Sequence, residues 1–292
     1  MTELDQLMAG GPVVTDGAWG TQLYARGLPP GDVPDSWNLT HPDRVEEVGR
    51  AYVEAGSQVI LTNTLLASRL MLAGYGLAEQ TVEINRAGAA ISRRAGQGRA
   101  RVFASMGPSG KMLLAGDVTE DQLLEAFREQ ARALAEGGAD ALLIETMSDL
   151  GEATLAVRAA AETGLPVVAC MVFDSGKGKD RTLMGTTPED AAQALEAAGA
   201  SVVGANCGSG VAGYVAVCRR MHSASRRPIW IKANAGLPEL VDGVARYRMT
   251  AEEFAGYVPA LVEAGASFIG GCCGTGPEHV RAIVAALSQG RP

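Results

Sequence analysis

The feature that most restricts the fold of this chain is an eightfold alternation. A short run rich in Val, Ile, Ala and Thr, ended by Gly, Asn, Cys or Asp, is followed each time by a longer segment of helical periodicity. The strand candidates fall at 12–17, 58–63, 101–107, 141–146, 166–173, 201–207, 228–234 and 267–272. Their nearly continuous apolar character suits parallel strands covered on both faces. The helix candidates fall at 44–56, 78–96, 119–138, 151–164, 187–199, 211–225, 250–265 and 276–290. In the third of these, Thr119 and Gln122 form a capping-box pattern, and Leu123, Leu124, Phe127, Ala131 and Leu134 recur at three-to-four spacing. Eight such units in 292 residues match an α/β fold of the (β/α)8 barrel type. A doubly wound sheet is the rival. The even spacing and the absence of a Gly-x-Gly-x-x-Gly turn after the first strand favour the barrel. No Pro- or Ser-rich linker divides the chain, so a single barrel domain is expected over residues 1–292.

Charge and cysteine usage narrow the function. The net charge of −8 is spread along the chain without a Lys/Arg block, so neither a nucleic-acid groove nor an anionic-membrane patch is expected. The first residues are acidic where a secretory signal needs a positive region, and no run reaches the length of a membrane span; a cytoplasmic location is expected. Five cysteines, an odd number, argue against a disulfide framework and leave thiol chemistry or metal binding.

In a barrel of this kind, polar residues at the C-terminal ends of the strands share one rim, where the active site is built. Here these are Asp16, Thr62-Asn63-Thr64, Ser105, Met106, Glu145, Thr146, Asn206, Cys207, Asn234 and the pair Cys272-Cys273. A closed barrel brings the ends of strands six and eight together across strand seven, so Cys207, Cys272 and Cys273 converge. Three thiolates around one point suit Zn2+, which takes sulfur ligands in tetrahedral geometry and keeps one position for a further group. Neighbouring residues on a regular strand face opposite ways, so both Cys272 and Cys273 reach one ion only where the strand has ended, as the glycines of "GGCCGTG" permit. Cys170, inside strand five, and Cys218, on a helix face, read as core.

Three thiolates leave the site a formal negative charge, which disfavours water activation but still allows a substrate thiol to be held as thiolate. Glu145, ending an apolar strand, is a candidate partner for an ammonium group; satisfaction by a rim Lys or Arg is the equal alternative. Asp16 with the backbone N–H groups of Gly17 and Ala18 offers a turn able to hold a carboxylate, or simply a strand-ending turn. Together they point to an amino-acid thiol. Asn63 and Asn206 join the substrate-binding candidates. Asn206 and Asn234 are candidate amide orienters, Asn234 also a weak oxygen ligand. His41, His222 and His279 lie away from strand ends and read as surface or helix residues rather than ligands.

The stretches "DGAWGTQL" (16–23), "ILTNT" (60–64), "IETMSD" (144–149), "GANCGSG" (204–210), "NAGLP" (234–238) and "GGCCGTGPEHV" (270–280) resemble the zinc-dependent homocysteine S-methyltransferase family. This is the barrel shared by cobalamin-dependent methionine synthase and betaine–homocysteine methyltransferase. The resemblance implies zinc on Cys207, Cys272 and Cys273, and a methyl group passed to homocysteine to give methionine. It also implies Glu145 on the homocysteine amino group, Asp16 and Gly17 at its carboxylate, and Asn234 as a displaceable fourth ligand. "DRTLMGTTPEDAA" (180–192) and "NAGLP" lean to the cobalamin-dependent branch. Two stretches depart from the pattern: Leu65 and Leu66 replace an expected aromatic ring, and "KMLLAGD" (111–117) lacks a proline turn. The chain ends soon after the eighth helix, so methylcobalamin use implies a separate corrinoid protein. Two other functions stay open: demethylation of a methylated sulfur or amine compound onto a corrinoid protein, and a non-catalytic scaffold with structural zinc.

Overall fold

The structure, a computed structural model, describes residues 2–241 and 244–289. The strands are β1 (Val13–Val14), β2 (Val59–Ile60), β3 (Arg101–Met106), β4 (Ala141–Met147), β5 (Val167–Met171), β6 (Val202–Cys207), β7 (Ile229–Ala233), β8 (Glu239–Val241), β9 (Val244–Arg246) and β10 (Ala266–Gly271). Eight of them form one parallel sheet in the order β1-β10-β7-β6-β5-β4-β3-β2. A parallel bridge between Thr15 and Val59 brings its two ends together. The result is the single-domain (β/α)8 barrel; residue 1 and residues 290–292 of the expected span, with the last residue of the expected eighth helix, lie outside the described residues.

The helices follow the periodic segments closely: Pro42–Ala55, Thr81–Gly96, Glu120–Glu136, Leu150–Ala161, Pro188–Ala198, Val211–Ala224 and Pro277–Gln289. The Thr119 capping box is formed, with side chain and backbone of Thr119 and Gln122 bonded reciprocally. One expectation is corrected. The segment 250–265 is two short helices, Ala251–Ala255 and Val258–Glu263. Pro259 has no N–H to give to the carbonyl of Ala255, and its ring crowds that carbonyl, so a continuous helix is broken there.

Elements absent from the periodicity reading sit at the two barrel ends. Helix Glu3–Met8, capped by Thr2 and Asp5, places Leu4 against the apolar plug inside the barrel. That plug centres on Phe103, Trp230 and Phe268, with ring centroids 5.8 Å apart for Phe103–Trp230 and 5.1 Å for Trp230–Phe268. Each buried ring contributes roughly 4–6 kcal/mol of gross burial free energy. At the other end, short helices Gly20–Tyr24 and Arg69–Ala73 and the antiparallel pair β8–β9 lengthen the segments that follow β1, β2 and β7. Among the described residues no helix is long and apolar enough to cross a membrane.

The packing around the plug is testable at Gly204, which lies opposite Trp230 in the β6–β7 register. A Cβ there would stand 2.1 Å from the Trp230 carbonyl oxygen and 2.7 Å from its Cβ. Gly204→Ala is expected to destabilise the fold by about 3 kcal/mol in urea unfolding. A loss under about 1 kcal/mol would show that the two strands separate easily.

Candidate active site and family

The cysteines are brought together by register. Ala233 of β7 is paired with Cys207 on one side and Gly271 on the other, so Cys272 emerges one residue beyond the same level. The chain turns at once: Cys207 has φ 60°, and Gly208 and Gly210 follow with φ 70° and 122°. A non-glycine residue held in this region is uncommon and costs energy, so the surrounding bonds must enforce it. Asn234 supplies them, its Nδ2 donating to the Gly208 carbonyl at 2.8 Å and its Oδ1 accepting from the Cys273 N–H at 2.9 Å. The Cys272 N–H donates to the Ala233 carbonyl, and the Ala235 N–H to that of Cys273. At Gly274 the Tyr247 ring lies where a Cβ would stand, so the Cys-Cys turn needs glycine there.

The three Sγ atoms lie within 4.8 Å of one another, Cys207 and Cys272 at 3.2 Å. Tetrahedral coordination with metal–sulfur bonds of about 2.3 Å puts sulfurs ~3.8 Å apart, so the trio fits one ion of zinc's size. Electrostatics agree. Hydrogen bonding to Cys272 and Cys273, then burial, pushes the Cys207 thiol well up, while hydrogen bonds from Cys207 and Cys272 hold Cys273 down at about 3. Sulfurs so crowded resist carrying charge together, and ionising all three requires a cation among them.

Beside the sulfurs is a cavity of about 300 Å³ whose floor is polar. Its lining includes buried Glu145, Ser105 and Lys232, and buried Asn206 and Asp16 bond to Glu145 and Lys232 without lining the cavity themselves. Glu145 accepts from the Ser105 hydroxyl and, at 3.2 Å, from the Asn206 amide. Burial raises its carboxyl to about 7, against the opposing pull of Lys232. Asn206 also accepts from the Thr146 N–H at 2.7 Å, fixing a second strand-end residue with positive φ. Asp16 accepts from Lys232, from Trp19 Nε1 at 2.7 Å and from the Leu61 N–H at 2.7 Å. Burial pulls the Lys232 ammonium down, but the Asp16 and Glu145 carboxylates more than offset that and keep it charged.

Gly17, Ala18, Asn63, Glu145 and the three cysteines line the cavity, together with Leu65 and Leu66. The Ala18 N–H, however, donates to the Thr275 carbonyl at 3.3 Å. Asn63 donates to the Pro34 carbonyl and to Asn38, tying rim segments together. Asn234 Oδ1 is engaged by the Cys273 backbone. Cys170 and Cys218 are buried in the core, and none of the three histidines joins the sulfurs; His279 is a buried helix residue bonded to the Gly276 N–H. Lys232 and Asp35 were missed by reading strand ends alone. A lysine inside the apolar run "PIWIKAN" was the available signal for the first; Asp35, which accepts from the Leu66 N–H, lies in an aperiodic stretch and gave none.

Asn234 ties both cysteine turns to β7. Asn234→Ala is expected to weaken metal retention ~10- to 100-fold in competition with a chromophoric chelator. Unchanged retention would show that the two turns hold their shape unaided.

The homocysteine S-methyltransferase family model matches residues 13–287. Methionine synthase of Mycobacterium tuberculosis is 33% identical over 99% of this chain, and that of Mycobacterium leprae 32%; the chain spans about a quarter of their length, 26% and 25%. The homocysteine methyltransferase MmuM from Escherichia coli in its metallated form superposes with a TM-score of 0.82 at 24% identity, over 97% of this chain and 99% of that one. Its oxidised form gives 0.81 at 23%, with the same coverage. These solved structures establish the likeness of fold. The family match across nearly the whole barrel makes the chain a member of the homocysteine S-methyltransferase family, and so a methyltransferase enzyme.

Proposed function

We propose that this enzyme transfers a methyl group to the thiolate of homocysteine, or of a closely similar small thiol, giving methionine from homocysteine. The observation that carries the proposal is the convergence of Cys207, Cys272 and Cys273 on one side of a cavity floored by Glu145. Zn2+ on the three cysteines would supply the positive charge that lets an incoming thiol lose its proton at neutral pH. The protein does the rest. Glu145, held by Ser105 and Asn206, takes the acceptor's ammonium group, and Leu65 and Leu66 wall the cavity with apolar surface. The acceptor sulfur then attacks the methyl carbon in line, the S–C bond forming as the bond to the donor breaks, the thiol proton having left on binding.

The donor is either a small methylated compound or a methyl-corrinoid protein. Met112, Leu114, Leu183, Met184 and Leu237 are exposed on the segments that follow β3, β5 and β7, at the mouth of the barrel. Exposed apolar side chains on these segments are compatible with a donor presented by a second protein surface. A second reading rests on Leu65 and Leu66, which widen the apolar wall: demethylation of a methylated sulfur or amine compound onto a corrinoid protein. Rapid methionine formation from homocysteine with any donor, with or without methylcob(III)alamin, would rule that out as the main activity. The scaffold with a structural zinc gives way, because the family is enzymatic and the sulfurs open on a cavity.

Purified, reduced protein is expected to carry about one zinc per chain. Cys207→Ser is expected to lower turnover at least ~100-fold while its melting temperature stays within about 5 °C. Protein without stoichiometric zinc, measured by atomic emission, would defeat the proposal. A Cys207→Ser variant that unfolds instead would return the structural reading.

A further inference from the structure

One buried charge is left unused by the proposed chemistry, the ammonium group of Lys232. We infer that Lys232 binds the carboxylate of the acceptor, so that this enzyme selects thiols that bear one. The inference rests on the proposed function, in that it assumes a small thiol as the acceptor.

Lys232 sits on β7, in register with Asn206 of β6 and Gly270 of β10. Gly270 lets β10 lie close against β1: a Cβ there would stand 2.7 Å from the Asp16 carbonyl oxygen, so any larger residue would push β1 away. The lysine is 1% exposed and lines the cavity. An ammonium group has three N–H donors, and a buried one needs an acceptor for each. Two are met, by Asp16 Oδ1 and by the Gly17 carbonyl at 3.3 Å. The third has no acceptor among the described residues.

Asp16 is largely occupied already. Its two oxygens already take Lys232, Trp19 and the Leu61 N–H, so this carboxylate holds the lysine rather than a substrate ammonium. Beside it, Gly17 lines the cavity, and its N–H has no partner among the described residues. Two unmet donors on adjoining groups, one of them charged, suit the two oxygens of a carboxylate. Glu145 answers from β4 with the opposite charge. The floor therefore matches both charged ends of an amino-acid thiol: carboxylate at Lys232 and Gly17, ammonium at Glu145, sulfur at the cysteines.

The test is a set of binding titrations on the zinc-replete protein with homocysteine, 3-aminopropane-1-thiol, which lacks only the carboxylate, and 4-mercaptobutanoate, which lacks only the amine. In wild type, loss of the carboxylate is expected to raise Kd at least ~30-fold, because it leaves a buried charged donor unmet. In Lys232→Met, homocysteine is expected to fall to the level of 3-aminopropane-1-thiol, whose own Kd moves less than ~3-fold. Because that variant strands the Asp16 charge, the neutral pair Asp16→Asn with Lys232→Met is measured alongside and is expected to behave in the same way. Wild-type protein that binds homocysteine and 3-aminopropane-1-thiol within ~3-fold of each other overturns the assignment and leaves the proposed function standing. Wild-type protein that binds none of the three thiols overturns both.

Discussion

Everything at the mouth of this barrel depends on the parallel register of β6, β7 and β10. Because β7 pairs with both neighbours at Ala233, the ends of two strands distant in the chain arrive at one height with β7 between them. The sulfurs meet because hydrogen-bonded ladders leave their strands no other height. Asn234, the residue after β7, then bonds to both turns. The strained φ of Cys207 is held by this arrangement and would not survive in an isolated strand end.

Below the sulfurs the barrel interior changes character in one layer. Phe103, Trp230 and Phe268 fill the lower part with ring packing, and the next layer up is Asp16, Ser105, Glu145, Asn206 and Lys232. Burying three ionisable groups so close together is costly unless each finds partners of opposite sign or hydrogen-bond complement. Asp16 and Lys232 settle their charges against each other. Glu145 has only neutral donors in contact, and its carboxyl is accordingly raised to about 7 by burial. The floor therefore holds one ion pair, which leaves one lysine N–H unmet, and one carboxylate compensated only by neutral donors. The same low-dielectric surroundings that make this layer expensive make its contacts with a ligand selective.

Much of this was legible in the residues. The eight strands and seven of the eight helices follow from apolar periodicity because a parallel strand covered on both faces and an amphipathic helix leave unmistakable patterns. The remaining one, at 250–265, misled because the apolar spacing continues through Pro259 while the backbone hydrogen bonds do not. Helix Glu3–Met8 and the β8–β9 pair were hidden for a different reason: they are short, and short elements carry too few repeats to show a period. The cysteine trio was readable because Cys-Cys among glycines is rare chemistry at a predictable place. Asn234 was readable as a polar strand end, but its position as the strap between two turns was not.

The alternation of strands and helices, the apolar interior and the three thiols at strand ends are all legible in the chain, because they depend on residue type and spacing alone. Which residue partners which became clear only in the folded barrel. Asp16 and Lys232 are 216 positions apart, and whether the aspartate faces a ligand or a lysine is settled by which strands adjoin in the closed barrel. Charge pairing is a property of distance in space, and in a barrel that distance is set by strand order and register rather than by position in the chain.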